Sequence, residues 1–173
     1  MSAAVVAGNP PLTLTQFNAL ATADAHTLLG SCLDIERWVL EVGAGRPYQT
    51  WESLQARASA SAEAITWDEV AGALARHPRI GEQAGGEPAD VALSAAEQSG
   101  VVSSDAAALA AGNAAYERRF GYIFLICATG LSGEQMLAAL HERLTHDDEA
   151  EHLVVMDELR KIAALRLTKA IAP

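Results

Sequence analysis

The chain has 173 residues, of which 50% are apolar and only 5% are aromatic, and its formal net charge is -10. A chain of this length can bury one hydrophobic core, and an apolar set rich in Ala, Leu and Val suits close packing of helices. The negative charge and the 12 scattered Lys and Arg residues argue against a nucleic-acid-binding face. We therefore expect residues 1–173 to form a single all-α domain, a helical bundle of about eight or nine helices.

No segment predicts export or membrane contact. The first residues lack the basic start and long apolar run of a secretory signal, and residues 171–173 are not a peroxisomal address. The longest strongly apolar run, Tyr122 to Ala128, is far shorter than the roughly 20 residues that cross a bilayer. Cys32 and Cys127 lack CxxC spacing, which favours packed thiols in a reducing compartment. The sequence thus predicts a cytoplasmic protein.

Capping and breaking residues predict the first helices. Thr13 or Thr15 can cap a first helix that ends at Gly30. Ser31 then starts a second helix, which stops at the break that Gly43 opens.

The following stretch leads to a histidine at a helix end. Thr50 begins a third helix, and the capping box from Thr66 to Glu69 predicts a short helix over 67–76. Pro78 stops that helix and disfavours helical geometry in the residue before it. His77 should therefore stand at the helix end, ahead of a glycine-rich loop.

Further helices fill the second half of the chain. Ser94 opens a short helix, and Ser104 or Asp105 opens a longer one that reaches Phe120. We interpret Tyr122 to Ala128 as a buried helix, because a lone strand would have no sheet to join.

The last part of the sequence predicts two more helices. Ser132 and Gln135 form a capping-box pattern, and the acidic group at 147–149 favours the start of a long final helix. An apolar stripe from Leu153 to Leu167 follows helical spacing and leaves Arg166 beside the buried face.

Three polar residues are candidates for a site, although each has a structural explanation as well. A His near a helix C-terminus interacts well with the helix dipole, so His77 needs no function to be there. Glu97 completes a capping box with Ser94. Arg166 can lay its stem on apolar surface and keep its head in water.

A metal site is the competing interpretation. Glu149 and His152 form a Glu-x-x-His unit, with His141 and His146 nearby. Two-metal helical bundles need two such units on different helices, and the sequence contains one. We therefore expect no metal site and interpret this group as a solvated helix start.

Six short motifs follow one another along most of the chain. They are Leu29-Gly30-Ser31-Cys32, His77-Pro78-x-Ile80-Gly81, Ser94-x-x-Glu97-Gln98, Asn113-x-x-Tyr116-x-x-x-Phe120-Gly121-Tyr122-x-Phe124-x-Ile126-Cys127-Ala128, Glu142-Arg143-Leu144 and Lys161-Ile162-x-x-Leu165-Arg166-Leu167. Their order and number make the set specific. It resembles the decarboxylases that act on 2-oxo-4-hydroxy-4-carboxy-5-ureidoimidazoline (OHCU), in the last step from urate to (S)-allantoin.

The resemblance implies an all-helical, homodimeric enzyme that takes OHCU as substrate and needs no metal or organic cofactor. His77 looks like the catalytic histidine, Glu97 like its acidic partner and Arg166 like the site arginine. We expect these three side chains to line one pocket; if they lay apart, a non-enzymatic helical interaction module would be the better interpretation. The resemblance also implies a substrate-binding surface formed by Pro78, Ser94, Ala95, Ala96, Gln98, Phe124, Leu125, Ile126, Cys127 and Ala128.

Overall fold

The computed structural model describes residues 10–75 and 103–172, and these ranges contain eight α-helices and one pair of two-residue strands. The predicted all-α fold class is confirmed. No helix in these ranges is long and apolar enough to cross a membrane. The helices are α1 (Leu14–Ala19), α2 (Thr22–Cys32), α3 (Glu36–Ala44), α4 (Trp51–Glu63), α5 (Trp67–Leu74), α6 (Ser103–Phe120), α7 (Gly133–Arg143) and α8 (Asp148–Ala170).

The chain divides into two compact units. The first unit comprises residues 1–73 and 160–173, and the second comprises residues 74–159. Helix α8 therefore contributes its residues up to Leu159 to the second unit and those from Arg160 onward to the first.

Local capping fixes several helix starts as predicted. Thr13 accepts a hydrogen bond from the Gln16 backbone N–H at 3.2 Å, and the Gln16 side chain accepts from the Thr13 N–H at 2.8 Å. Equivalent reciprocal bonds start α4 at Thr50, α5 at Thr66 and α7 at Ser132. Each pair satisfies backbone donors that have no partner inside the helix.

The prediction of one helix ending at Gly30 is wrong. The chain breaks at Leu20 and Ala21, where the backbone is extended, and α2 then runs through Gly30 to Cys32. The Arg46 guanidinium explains the break, because its Nη1 donates to the carbonyl oxygens of Phe17 at 3.0 Å and Leu20 at 2.9 Å. Carbonyls at a helix end need such donors.

The start of the next helix also differs from the prediction. Helix α3 begins at Glu36 after Ile35, which makes no side-chain capping bond. Ser31 lies inside α2, and its hydroxyl donates to the Leu28 carbonyl oxygen at 2.7 Å. A serine that bonds back to the preceding turn is compatible with a helix interior.

A short parallel strand pair joins the two ends of the first unit. Strand β1 (Leu12–Thr13) pairs with β2 (Ile171–Ala172), with Leu12 opposite Ile171. Two-residue strands are too short to produce an alternating pattern, so periodicity could not predict them. The buried side chains of this unit include Phe17, Leu28, Leu29, Trp38, Val42, Leu54, Ile162, Leu167 and Ile171.

The second unit packs its apolar side chains around α6 and α7. One cluster joins the buried residues Leu109, Tyr116, Phe124, Ala128, Met136 and Leu140. A Cβ on Gly112 would lie 2.8 Å from a methyl carbon of Leu140, so glycine permits the two helices to approach closely.

The interpretation of Tyr122 to Ala128 as a helix is wrong. Helix α6 ends at Phe120, as predicted, and Gly121 adopts a φ of 80°, which turns the chain out of the helix. Residues 123–128 then form neither helix nor strand. The helix predicted to begin at Ser94 lies outside the described residues.

Candidate active site

The structure describes only part of the predicted site. His77, Pro78, Ser94, Ala95, Ala96, Glu97 and Gln98 lie outside the described residues. Arg166 lies on α8 in the first unit, and the five residues 124–128 follow one another in the second unit. The expectation that His77, Glu97 and Arg166 line one pocket stays a prediction.

Arg166 is buried, with only 4% of its surface exposed. Its Nη1 donates to the carbonyl oxygen of Ser31 at 3.4 Å. Because Ser31 lies in the last turn of α2, its carbonyl belongs to the negative end of that helix, where a cation is favourable. The alternative in which Arg166 keeps its head in water is therefore wrong. Burying a guanidinium costs free energy unless the group has polar partners, so a buried arginine at this position requires such partners.

The hydrogen bond between Arg166 and Ser31 joins residues of two motifs, and the two residues lie 135 positions apart in sequence. The Leu29-Gly30-Ser31-Cys32 motif forms the end of α2, and both Leu29 and Cys32 are buried. The buried side chains hold the helix end in the core of the first unit, and the Ser31 carbonyl is presented to Arg166. The two motifs thus build one local structure.

The segment 124–128, called the binding segment for its predicted role, is anchored through its main chain. Phe124, Leu125 and Ala128 are buried, whereas Ile126 and Cys127 are half-buried. Arg143 Nη1 donates to the Leu125 carbonyl oxygen at 2.6 Å. The Cys127 N–H donates to Glu158 Oε2 at 2.7 Å. Two charged side chains therefore satisfy backbone groups that helix or sheet would otherwise pair.

Arg143 is itself held by Glu151, a carboxylate with no exposed surface. Arg143 Nε and Nη2 both approach Glu151 Oε1, at 2.8 Å and 2.6 Å. The Tyr116 hydroxyl also donates to Oε1, and His146 Nδ1 lies 2.8 Å from Oε2. This ion-pair network surrounds both Glu151 oxygens with polar partners, which a buried carboxylate requires.

Aromatic rings enclose the same guanidinium. Arg143 Cζ lies 4.6 Å from the Phe124 ring centroid and 5.7 Å from that of Tyr116. The Tyr116 and Phe124 rings meet edge-on with centroids 5.2 Å apart. Cation–π attraction and this aromatic packing fix the orientation of Phe124 at the start of the binding segment.

The phenol groups near the network keep their protons at ordinary pH. Burial, followed by the hydrogen bond to Glu151, raises the pKa of Tyr116 well above its usual value. Burial also raises the pKa of Tyr122 to about 12. Tyr116 therefore remains a hydrogen-bond donor to the Glu151 carboxylate across the physiological range.

Sequence reasoning missed Glu151, Glu158 and the anchoring role of Arg143. The Glu-x-x-His unit directed attention to Glu149, yet Glu149 is exposed and Glu151 is the buried carboxylate. The Glu142-Arg143-Leu144 motif was the available signal for Arg143. Among residues 10–75 and 103–172, no group of three or more His, Cys, Asp or Glu side chains is arranged to hold a metal ion.

The first unit also contains a cleft of about 160 Å³. Arg160 lies at this cleft and donates from Nε to the Ala62 carbonyl oxygen at 3.1 Å. Arg166 is not one of the residues that line it. The lining is formed by Trp38, Trp51, Gln55, Ala58, Ser59, Ala62, Glu63, Arg160, Ala163, Ala164 and Leu167.

Known OHCU decarboxylases are similar to this chain in sequence. An OHCU decarboxylase from Haloferax volcanii is 27% identical over 160 residues, which cover 91% of this chain and 95% of the relative. An OHCU decarboxylase from Amia calva is 31% identical over 135 residues, which cover 75% of this chain and 77% of the relative.

A solved structure is similar as well. The crystal structure of an OHCU decarboxylase in the presence of (S)-allantoin matches with a TM-score of 0.67 at 25% identity, and the match covers 81% of this chain and 94% of that one. The sequence model of the OHCU decarboxylase family matches residues 18–168. The chain belongs to the OHCU decarboxylase family.

Proposed function

We propose that this protein decarboxylates OHCU to (S)-allantoin in urate breakdown. The family match over residues 18–168 carries the proposal. The Haloferax volcanii relative, an OHCU decarboxylase of which this chain covers 95%, supports an activity contained in one chain of this size. We accordingly propose that residues 1–173 act as one catalytic domain.

The chemistry of the substrate explains why the protein would need no cofactor. Decarboxylation leaves an electron pair that must be delocalised, and many enzymes use a bound cofactor for that purpose. The OHCU ring has an imine next to the carbon that bears the hydroxyl and carboxylate groups. Loss of carbon dioxide can therefore give an enol-like ene-amine, and the protein has to orient the ring and move protons.

His77 would handle the proton. An unperturbed imidazole has a pKa of about 6.5, so it exchanges a proton near neutral pH. Glu97 would orient His77 or accept a hydrogen bond from the ureido group. A single handedness of product requires that the enzyme shield one face of the ring while the other receives its proton.

Arg166 would act on a ring oxygen. A guanidinium bound to the departing carboxylate would stabilise the substrate while that charge disappears, which raises the barrier. On a ring oxygen it would instead stabilise charge that develops as carbon dioxide leaves. Its burial beside the Ser31 carbonyl supports a fixed guanidinium, which such a role requires. A product-analogue complex with Arg166 solely at the carboxylate position would contradict this placement.

Three further properties belong to the same proposal. We infer that the enzyme works without metal or organic cofactor, that it forms a homodimer, and that it acts in the cytoplasm. The resemblance of its motifs supports the first two, and the composition and cysteine usage support the third. Sedimentation equilibrium tests the dimer, and activity after exhaustive chelation tests the independence from metal.

The deciding experiment generates OHCU from urate enzymatically and then adds this protein. The expected result is faster loss of OHCU and accumulation of (S)-allantoin. Circular dichroism measures the handedness of the product. Loss of OHCU at the same rate with and without the protein, with product of mixed handedness, would reject the proposed function.

A further inference from the structure

We infer that Arg143 and Glu158 are positioning residues for substrate binding, because they fix the main chain of the binding segment from either side of Ile126. The inference rests on the proposed function and on the resemblance of the motifs, which implies that residues 124–128 bind OHCU. Neither side chain needs to touch the substrate for this role.

The two anchors act on the two peptide groups of Ile126. The Leu125 carbonyl that Arg143 binds shares a peptide plane with the Ile126 N–H, and the Cys127 N–H that Glu158 binds shares one with the Ile126 carbonyl. Both peptides are trans, so the C=O and N–H of each plane point in opposite directions. The anchors therefore turn the Ile126 N–H and C=O away from Arg143 and Glu158.

This arrangement presents a donor and an acceptor from one residue. In the part of the chain that the structure describes, neither the Ile126 N–H nor its carbonyl oxygen makes a hydrogen bond to another backbone group. OHCU carries amide-like N–H and C=O groups in its ring and in its ureido arm, which are complementary to such a pair. A main-chain pair of this kind fixes the orientation of a ligand only if the peptide planes are themselves fixed.

Arg143 is held firmly because its own partner is buried. Arg143 is only 5% exposed and is bonded to Glu151, which has no exposed surface. Phe124, whose ring lies against the Arg143 guanidinium, holds the beginning of the segment. Glu158 lies on α8, a helix of 23 residues, and its carboxylate accepts the hydrogen bond from the Cys127 N–H. Supporting side chains of this kind orient a site without entering it.

The test compares OHCU kinetics of the parent protein with Glu158→Ala and Glu158→Gln. Glutamine keeps an oxygen that can accept from the Cys127 N–H, whereas alanine does not. We expect Glu158→Ala to raise KM by about tenfold to a hundredfold with kcat changed less than about threefold, because a displaced binding surface weakens substrate and transition state alike. Glu158→Gln should return KM to within about threefold of the parent value. The inhibition constant of (S)-allantoin should follow KM in each variant.

A matched control and a variant of the second anchor complete the test. Glu149→Ala removes an exposed carboxylate from the first turn of the same helix and should leave KM and kcat unchanged. Arg143→Lys should raise KM, as Glu158→Ala does. Because Arg143 also pairs with Glu151, the Glu158 variants decide the question.

The possible outcomes distinguish this inference from the proposed function. An active parent whose Glu158→Ala variant keeps the parent KM would overturn the inference and leave the proposed function intact. The inference is also overturned if both Glu158 variants lose thermal stability and activity together, without rescue by glutamine. A parent protein without activity towards OHCU would reject the proposed function, and the inference with it.

Discussion

Arg166 Nη1 lies 3.4 Å from the Ser31 carbonyl oxygen, so a residue near the end of the chain is oriented by the last turn of α2. The planar guanidinium has several N–H donors in fixed directions, and a bond through one of them constrains the directions of the others. The α2 carbonyl end therefore constrains the orientation of the Arg166 guanidinium.

Arg166→Lys should lower kcat by about a hundredfold to a thousandfold, because an ammonium group on a flexible stem cannot reproduce the planar guanidinium, which is proposed to stabilise the developing charge. Steady-state kinetics with enzymatically generated OHCU measure the effect. Arg57→Lys is the matched control, since Arg57 is an exposed residue of the same unit and its replacement should leave kcat unchanged. Full kcat in Arg166→Lys would remove the arginine from the proposed mechanism.

His77→Ala should lower kcat by about a hundredfold to ten-thousandfold and leave the protein folded, because it removes the proposed acid/base group. Single-turnover decay of OHCU and far-UV circular dichroism measure the two effects. His141→Ala, which changes an exposed histidine on α7, should retain parent activity. Stereospecific formation of allantoin at the parent rate by His77→Ala would contradict the assignment.

Glu151→Gln should destabilise the second unit by about 3–5 kcal/mol, because it leaves the Arg143 cation buried without its charged partner. Tyr116→Phe removes one donor from the same carboxylate and should cost less, about 1–3 kcal/mol. Urea unfolding measures both values. The double variant should be less destabilised than the sum, since both changes act on Oε1. Strict additivity would argue against a shared network.

Alkaline pH should destabilise the fold through its tyrosines. Burial raises the pKa of Tyr48, Tyr116 and Tyr122 in the folded protein, the last to about 12. The unfolded phenols lose their protons near pH 10, so unfolding becomes easier as pH rises above that value. The stability is fully present below about pH 10 and, for Tyr122, is lost as pH rises towards about 12.

Tyrosinate absorbance should therefore appear at higher pH in the folded protein than in the same protein in denaturant. Tyr122→Phe should flatten the decline in the free energy of unfolding above pH 10, relative to the parent. Coincident titration curves for folded and denatured protein would rule out the raised pKa values.

Two helical glycines should respond differently to alanine. A Cβ at Gly72 in α5 meets no atom of the described residues within 4 Å, so Gly72→Ala should stabilise the protein by about 0.5–1 kcal/mol by reducing the conformational entropy of the unfolded chain. A Cβ at Gly112 would lie 2.8 Å from buried Leu140, and such overpacking costs about 1–3 kcal/mol. Thermal unfolding measures the stability of the two variants. Equal stabilisation by both would show that the Leu140 side chain can move to accommodate the added methyl group.

Helix starts could be predicted from sequence because their causes are local. The reciprocal bonds of Thr13, Thr50, Thr66 and Ser132 each involve a residue three positions further on. The end of α6 at Phe120 likewise followed from the glycine after it, whereas Ser104 and Asp105, the predicted starts, lie inside this helix.

The errors have long-range causes. The break after α1 depends on Arg46, which lies 26 residues beyond Leu20, and the irregular binding segment depends on Arg143 and Glu158, which lie 18 and 31 residues from the groups they bind. Local propensity could not reveal that these side chains would satisfy the main chain in place of helical bonds. The roles of His77 and Glu97 came from motif resemblance and stay predictions.

The first unit is built from two segments that are far apart in sequence, and this has a consequence for synthesis on the ribosome. The second unit is formed by one continuous stretch, residues 74–159, whereas the first unit combines segments from both sides of that stretch. The first unit needs Ile171 beside Leu12, and Arg166 beside the end of α2, before its structure is complete. An unfinished chain that ends before residue 160 therefore leaves buried surface of the first unit open to water, where chaperones can recognise it.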